Sequence, residues 1–308
     1  MVGDRQVIEL HINNMYALKM EDKPEKQDTG VWDLEIKPRQ PLFDLHLADV
    51  WQYRDLLLLF VKRDFVAQYK QTVLGPLWNV IQPILTTAMF LLVFGKIANI
   101  STDGIEPILF YMSGITIWNY FQTCLTNTSN TFVTNASIFG KVYFPRLIIP
   151  LSVILSNLVR FGIQFLLLFA AMLYYNYNGY PLHITFNWLL IPLLLSLMAG
   201  IGLGLGIIIS SLTTKYRDFI VLMAFAIQLG MYATPVVYPL SFLSHSRYRH
   251  LILLNPLSSI LEGFRYALFG AGTFTAGGLL YTFCFMVIAL FFGVLLFNKV
   301  ERSFMDTV

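Results

Sequence analysis

The stretch Trp188–Leu212 reads WLLIPLLLSLMAGIGLGLGIIISSL, 25 residues without a charged side chain. About 20 such residues carry an α-helix across bilayer hydrocarbon, where every backbone N–H and C=O must be satisfied within the segment. Ser196, Gly200 and Gly204 recur at a step of four, with Gly202, Gly206 and Ser210 interleaved at the same step. Small residues at that step admit a second helix backbone at close range, so the pattern reads as a packing seam. It is not a nucleotide fingerprint, because no strand precedes it and the G-x-G-x-x-G spacing fails.

The rest of the chain has the same character. Of 308 residues, 56% are hydrophobic and 13% charged, with mean hydropathy +0.62. Ordinary globular chains carry about 25% charged residues. Residues 1–70 hold 22 of the 39 charges, which leaves 17 for the remaining 238 residues. That is too few to solvate a globular surface, and it excludes soluble dehydrogenases, nucleic-acid binders and secreted scaffolds. Cys124 and Cys284 sit in apolar runs and imply no disulfide framework. The first 30 residues lack the apolar core of a cleaved signal peptide.

Residues 1–44 read as a cytosolic tail with a short strand near Trp32–Ile36. Residues 45–75 read as an amphipathic interface helix, with Leu58, Val61, Phe65 and Tyr69 on one side and Arg63, Asp64, Lys70 and Gln71 on the other. The same face would also suit a cytosolic partner. Residues 76–300 hold six expected spans: Pro76–Ala98, Pro107–Asn130, Leu147–Tyr175, Trp188–Leu212, Phe219–Tyr238 and Leu279–Asn298. Leu251–Gly270 is broken by Asn255-Pro256 and carries Glu262 and Arg265, so it reads as a re-entrant or outer helix pair before the last span. The expected class is therefore an all-α integral membrane protein, with residues 301–308 as a cytosolic C-terminal tail. Ten Lys and Arg flank the inner ends of these spans and four the outer ends, which places both termini in the cytoplasm. Tyr174, Tyr175, Tyr177, Tyr180, Phe186 and Trp188 form an aromatic belt at the outer side.

The second span is the polar one. Ser113, Thr116, Asn119, Tyr120, Thr123, Thr126, Asn127, Asn130 and Thr131 share one face. Hydrogen-bonding groups cost free energy against lipid, so they face either a polar path or other helices. Arg160 stands in the third span beside Asn157 and Gln164. An ionisable residue there marks a functional site, meeting an anionic substrate group, or is a buried cation satisfied by neighbouring carbonyls and amides. No metal spacing, nucleophile elbow or G-x-x-x-x-G-K-[ST] occurs, and the spans lack the carboxylates of an ion-coupled carrier. Energy for transport would come from a partner.

The run Lys62-Arg63-Asp64, then Tyr69, then Leu74-Gly75-Pro76-Leu77-Trp78, resembles the start of polysaccharide-exporting ABC permeases of the type-2 class. So do Phe139-Gly140-Lys141-Val142-Tyr143-Phe144-Pro145-Arg146, Tyr216-Arg217-Asp218 and Asn255-Pro256, an order that covers roughly residues 45–300. Within that family the chain is most similar to O-antigen (lipopolysaccharide) and teichoic-acid exporters.

The resemblance implies a homodimer of six-span subunits in the bacterial plasma membrane, bound to two nucleotide-binding ATPase subunits. The chain itself would be no enzyme and bind no cofactor, with ATP and magnesium held by the partner. The loop carrying Ile138, Phe139, Lys141, Tyr143, Phe144 and Arg146 would couple to the ATPase, and Pro145 would end it before the next span. A path for lipid-linked polysaccharide should mix amides and hydroxyls with aromatic rings. Phe90, Phe94, Thr116, Asn119, Tyr120, Thr123, Asn127, Arg160 and Tyr232 supply that mixture. Arg54, Arg63 and Lys70 offer charge-assisted contacts to a lipid pyrophosphate at the cytosolic interface. A permease for a small lipid or drug shares this topology, and a membrane-embedded sugar-modifying enzyme would need acid, base or nucleophile groups that these spans lack.

Overall fold

The structure is a computed structural model that describes residues 51–70, 72–135, 138, 144–180, 185–213, 216, 218–244 and 247–305, with side chains described through 299. The N-terminal tail and the strand expected near Trp32–Ile36 lie outside the described residues, as do the loop residues Phe139, Lys141 and Tyr143.

Among the described residues the fold is helical throughout: α1 (Arg54–Tyr69), α2 (Trp78–Phe90), α3 (Pro107–Ser129), the single turn α4 (Thr131–Thr134), α5 (Ile148–Tyr177), α6 (Leu190–Thr213), α7 (Phe219–Tyr232), α8 (Arg249–Leu253), α9 (Pro256–Phe269) and α10 (Ala276–Met305). A π-helical segment, Leu91–Ile97, prolongs α2. Among the described residues four helical stretches are long and apolar enough to cross a membrane: Gly75–Ile97, Ile148–Tyr177, Phe186–Thr213 and Ala276–Lys299. The second expected span, α3, has 23 residues and a length of about 34 Å, but its polar stripe lowers its hydropathy. The fifth, α7, has 14 residues where about 20 were expected, because the chain turns at Ala233 before continuing to Tyr238.

Helix α6 forms the centre of the bundle, with α3 on one side and α10 on the other. Its glycine seam serves both contacts. A Cβ on Gly204 would lie 2.8 Å from the backbone of Ala289 and Leu290 in α10, and one on Gly206 would lie 2.6 Å from Thr128 Cβ in α3. Either approach excludes any larger side chain. Helix α3 is enclosed by α6 and α5, with α2 and α9 against it. Its buried residues, including Tyr111, Ile117, Trp118 and Phe121, form the main core together with Leu194, Met198, Ile201 and Phe264. A second cluster closes the opposite end of the bundle. Phe132 stacks on Phe297 at 4.7 Å between ring centroids, and Phe60 meets Phe144 at 5.7 Å above Ile148 and Ile149.

Helix α9 is set by local chemistry. Asn255 caps it by accepting from the Leu257 N–H at 3.1 Å, Pro256 takes the first position and Gly270 ends it at φ 69°. Its Glu262 and Arg265, each 2% exposed or less, form a buried pair at 3.4 Å. Arg265 Nη1 and Nη2 donate to the carbonyls of Pro235 and Val236 at 2.6 and 2.7 Å, and its guanidinium lies 3.7 Å from the Phe110 ring centroid. Glu262 Oε2 accepts from the Thr273 N–H at 2.9 Å. This network ties α9 to the turn after α7 and to the start of α3.

Helix α1 lies along α5 in an orientation that corrects the expected faces. Phe60, with Tyr53, Leu56 and Leu57, packs inward, while Leu58 points out at 61% exposure. Leucines occupy all sides of this helix, so its apolar residues do not choose a face. The inward face continues into Arg63 and Asp64, which point toward the bundle.

Candidate functional site

Arg63, Asp64 and Arg160 share one cavity of about 250 Å³ at the end of the bundle that holds the α3–α5 connection. Helix α1 contributes Arg63 and Asp64. From α3 and the short turn after it come Asn127, Asn130, Thr134 and Asn135. Helix α5 adds Val153, Ser156, Asn157 and Arg160, which recur at steps of three and four and so occupy one helical face. Among the described residues the wall has one apolar side chain, Val153, in a bundle that is otherwise greasy.

Most of the wall's polar groups are already bonded to each other. Arg63 Nε and Nη2 donate to Asp64 Oδ1 at 2.9 and 2.7 Å, and Arg63 Nη2 also reaches Asn135 Oδ1 at 3.3 Å. The Arg63 guanidinium lies 4.5 Å from the Phe60 ring centroid, which fixes its plane. Asn127 Nδ2 donates to Asn157 Oδ1 at 3.3 Å, and Ser156 Oγ donates to the Val61 carbonyl at 3.4 Å. Asn79 Nδ2 donates to the Tyr69 phenol oxygen. Two donors are left over. Arg160 Nε and Asn157 Nδ2 are buried with no partner among the described residues. A buried donor without an acceptor costs about 1–3 kcal/mol.

The charge count is equally lopsided. Arg63 and Asp64 neutralise each other, and Arg160 has no carboxylate within ion-pair distance among the described residues. Arg160 lies 12 residues into α5, about 18 Å from its start. One net positive charge therefore sits in a cavity within a spanning helix.

Other expected site residues fall elsewhere. Thr116 is fully buried and donates to the Met112 carbonyl at 2.8 Å, and Tyr120, 3% exposed, packs on Phe161 at 5.4 Å. Both are packing positions in this subunit, a correction to the expectation that they line a path. Phe90 is buried against Phe94 and Tyr111. The polar stripe of α3 thus divides in two. Ser113 and Thr116 turn inward, while Asn119, Gln122, Thr123, Thr126 and Asn127 keep exposed or half-buried surface. Asn119 Nδ2 donates to Gln164 Oε1 at 3.4 Å, so interhelical bonding and an accessible polar face coexist on one helix. Tyr232 is half exposed at the end of α7, and Arg54 and Lys70 are exposed on or just after α1.

Of the loop residues expected to dock on a partner, Ile138 packs against the Phe60 cluster, and Phe144 and Arg146 are each 6% exposed. Phe144, expected to couple to a partner, lies inside the bundle end and not on its surface. Its ring fills the end of the bundle because Phe60 offers an apolar partner there.

Among the described residues the chain is a helical bundle whose long helices are apolar enough to cross a bilayer, the build of an integral membrane protein, with a polar cavity and an accessible polar helix face. The chain belongs to the ABC-2 type transporter family, whose sequence profile matches residues 55–269. It is 28% identical over 253 residues to an O-antigen export system permease protein RfbA of Klebsiella pneumoniae, covering 82% of this chain and 94% of that protein. It is 27% identical over 220 residues to the protein of the same name from Myxococcus xanthus, covering 71% and 82% of the two chains.

Proposed function

We propose that the chain is the membrane-spanning permease subunit of an ATP-driven exporter that moves lipid-linked, O-antigen-like polysaccharide across the bacterial plasma membrane. The observation that carries this reading is the similarity to O-antigen export permeases along four fifths of the chain. The exposed amide and hydroxyl face of α3 from Asn119 to Asn127 supports it, since sugar hydroxyls exchange hydrogen bonds with such side chains. Two copies, each with six spans and both termini in the cytoplasm, would work with two nucleotide-binding ATPase subunits that hold ATP and magnesium. Coupling would run through the loop between α4 and α5, by Lys141 and Tyr143 together with Phe139, while Ile138, Phe144 and Arg146 anchor it from inside.

The test is deletion and reconstitution. Loss of the chain should abolish surface polysaccharide, and the complex purified with its ATPase should hydrolyse ATP faster when lipid-linked glycan is added. Export of a dye with surface polysaccharide intact would favour a permease for small lipids or drugs.

A further inference from the structure

We propose that the cavity between α1, the α3–α4 turn and α5 is a binding site for a phosphate or pyrophosphate group, with Arg160 Nε and Asn157 Nδ2 as its preset donors and Arg63 as a second cation held in reserve by Asp64. This deepens the exporter reading and rests on it for one point, that the phosphate enters as the head of a lipid-linked substrate.

The two orphaned donors come first. Arg160 Nε and Asn157 Nδ2 line the same cavity and lack acceptors among the described residues, and Asn157 is 1% exposed. A ligand that only accepts hydrogen bonds would satisfy both, and phosphate oxygens are such acceptors. Charge points the same way. Arg160 has no ion-pair partner among the described residues and gives the wall its net positive charge, so a cation is repelled and a neutral ligand leaves that charge unmet. Volume sets the size. About 250 Å³ admits a phosphate or pyrophosphate with some water and excludes a folded run of sugars.

Asp64 makes the arrangement more than a fixed cation. Its Oδ1 takes both contacts from Arg63, at 2.9 and 2.7 Å, and this offsets part of the negative charge that Asp64 turns on an entering anion. Arg63 also bridges to Asn135 on the far wall. An entering phosphate can draw the Arg63 guanidinium away from Asp64 by offering two oxygens where the carboxylate offers one. Asp64 therefore tunes affinity by competing for Arg63.

The test uses the full chain with its ATPase in nanodiscs of zwitterionic lipid, titrated with a polyprenyl pyrophosphate, the matching neutral polyprenol, inorganic pyrophosphate, or phosphatidylglycerol mixed into the disc. Wild-type protein should bind the polyprenyl pyrophosphate saturably and the polyprenol at least tenfold more weakly. Arg160→Gln should weaken pyrophosphate-lipid binding about ten- to hundredfold, the loss expected for one charged hydrogen bond. Arg160→Lys should recover part of it. Asp64→Asn should tighten binding, a change that a purely structural role for the pair would not produce.

Equal binding of the pyrophosphate lipid by wild type, Arg160→Gln and Asp64→Asn, with thermal midpoints intact, would overturn the site. Inorganic pyrophosphate bound as tightly as the polyprenyl pyrophosphate would assign the cavity to a free phosphate, and displacement of the pyrophosphate lipid by phosphatidylglycerol would assign it to a bilayer lipid headgroup. Either result overturns the lipid-linked assignment. Should Arg160-dependent binding persist while deletion leaves surface polysaccharide unchanged, the exporter reading fails and the phosphate site stands. Should deletion abolish surface polysaccharide while pyrophosphate-lipid binding ignores Arg160, the phosphate site fails and the exporter reading stands.

Discussion

Gly204 and Arg265 show how single residues carry this fold. At Gly204 the backbone of α10 comes so close that a methyl group would meet Ala289 and Leu290 at 2.8 Å, and neither backbone can yield cheaply. Gly204→Ala should therefore cost about 1–3 kcal/mol of overpacking. That lowers the thermal midpoint by several degrees, read by a fluorescence melt of the purified protein. Gly162 meets nothing within 4 Å, so Gly162→Ala serves as the neutral comparison. At Arg265, removing the guanidinium would leave Glu262 buried without its cation and strand the carbonyls of Pro235 and Val236. Arg265→Met should cost about 3–5 kcal/mol, the usual penalty for halving a buried pair. Glu262→Met added to Arg265→Met should cost less than the two losses summed, since the uncompensated charge is gone. An additive double mutant would mean the pair is not coupled. Glu262 and Arg265 stand three residues apart in a stretch read only as a broken helix, so their pairing was visible as a spacing. The carbonyls that Arg265 holds were not, because these come from a turn some 30 residues upstream.

At the scale of elements, α1 and the loop after α4 depend on each other. Phe60 and Phe144 meet at the end of the bundle, and Arg63 reaches over to Asn135. Phe144→Ala should loosen α1 and cost about 3–5 kcal/mol where the end cannot collapse, seen as a lower thermal midpoint and earlier proteolysis near residue 70. Lys141→Glu with Tyr143→Ala should leave the fold intact and cut export about tenfold while ATP hydrolysis continues. Transport at the wild-type rate by that pair would remove the coupling proposal for the loop. The element boundaries were largely legible: the expected starts at Pro107 and Phe219 are those observed, and the third span begins one residue after the expected Leu147. Proline at a first helical position and long uncharged runs have local causes, so one sequence suffices to see them. The facing of α1 was not legible, because leucines at 56 to 59 surround the helix and only contact with Phe144 and Ile148 selects the buried side.

The whole molecule presents large apolar side chains outward, Ile84, Leu85 and Met89 on α2 and Leu280, Phe283 and Ile288 on α10 among them. On a soluble protein such a surface would aggregate, whereas against acyl chains it costs nothing. The proposed assembly makes a plain prediction of stoichiometry. Native mass spectrometry of the detergent-extracted complex should show two copies of this chain with two ATPase subunits. A lone permease that exports without an ATPase would refute the proposal.

The sequence by itself determined the solvent this chain lives in, where its helices start, and the family it resembles, since hydropathy, span length and a linear run of motif residues need no third dimension. The tertiary structure alone decided which polar residues of α3 are packing and which remain accessible, and that Arg63, Asp64 and Arg160 share a cavity. The physical reason is range. A hydrophobic run is the sum of its own residues, but a cavity exists only where three helices distant in the chain leave a space that none of them encodes alone.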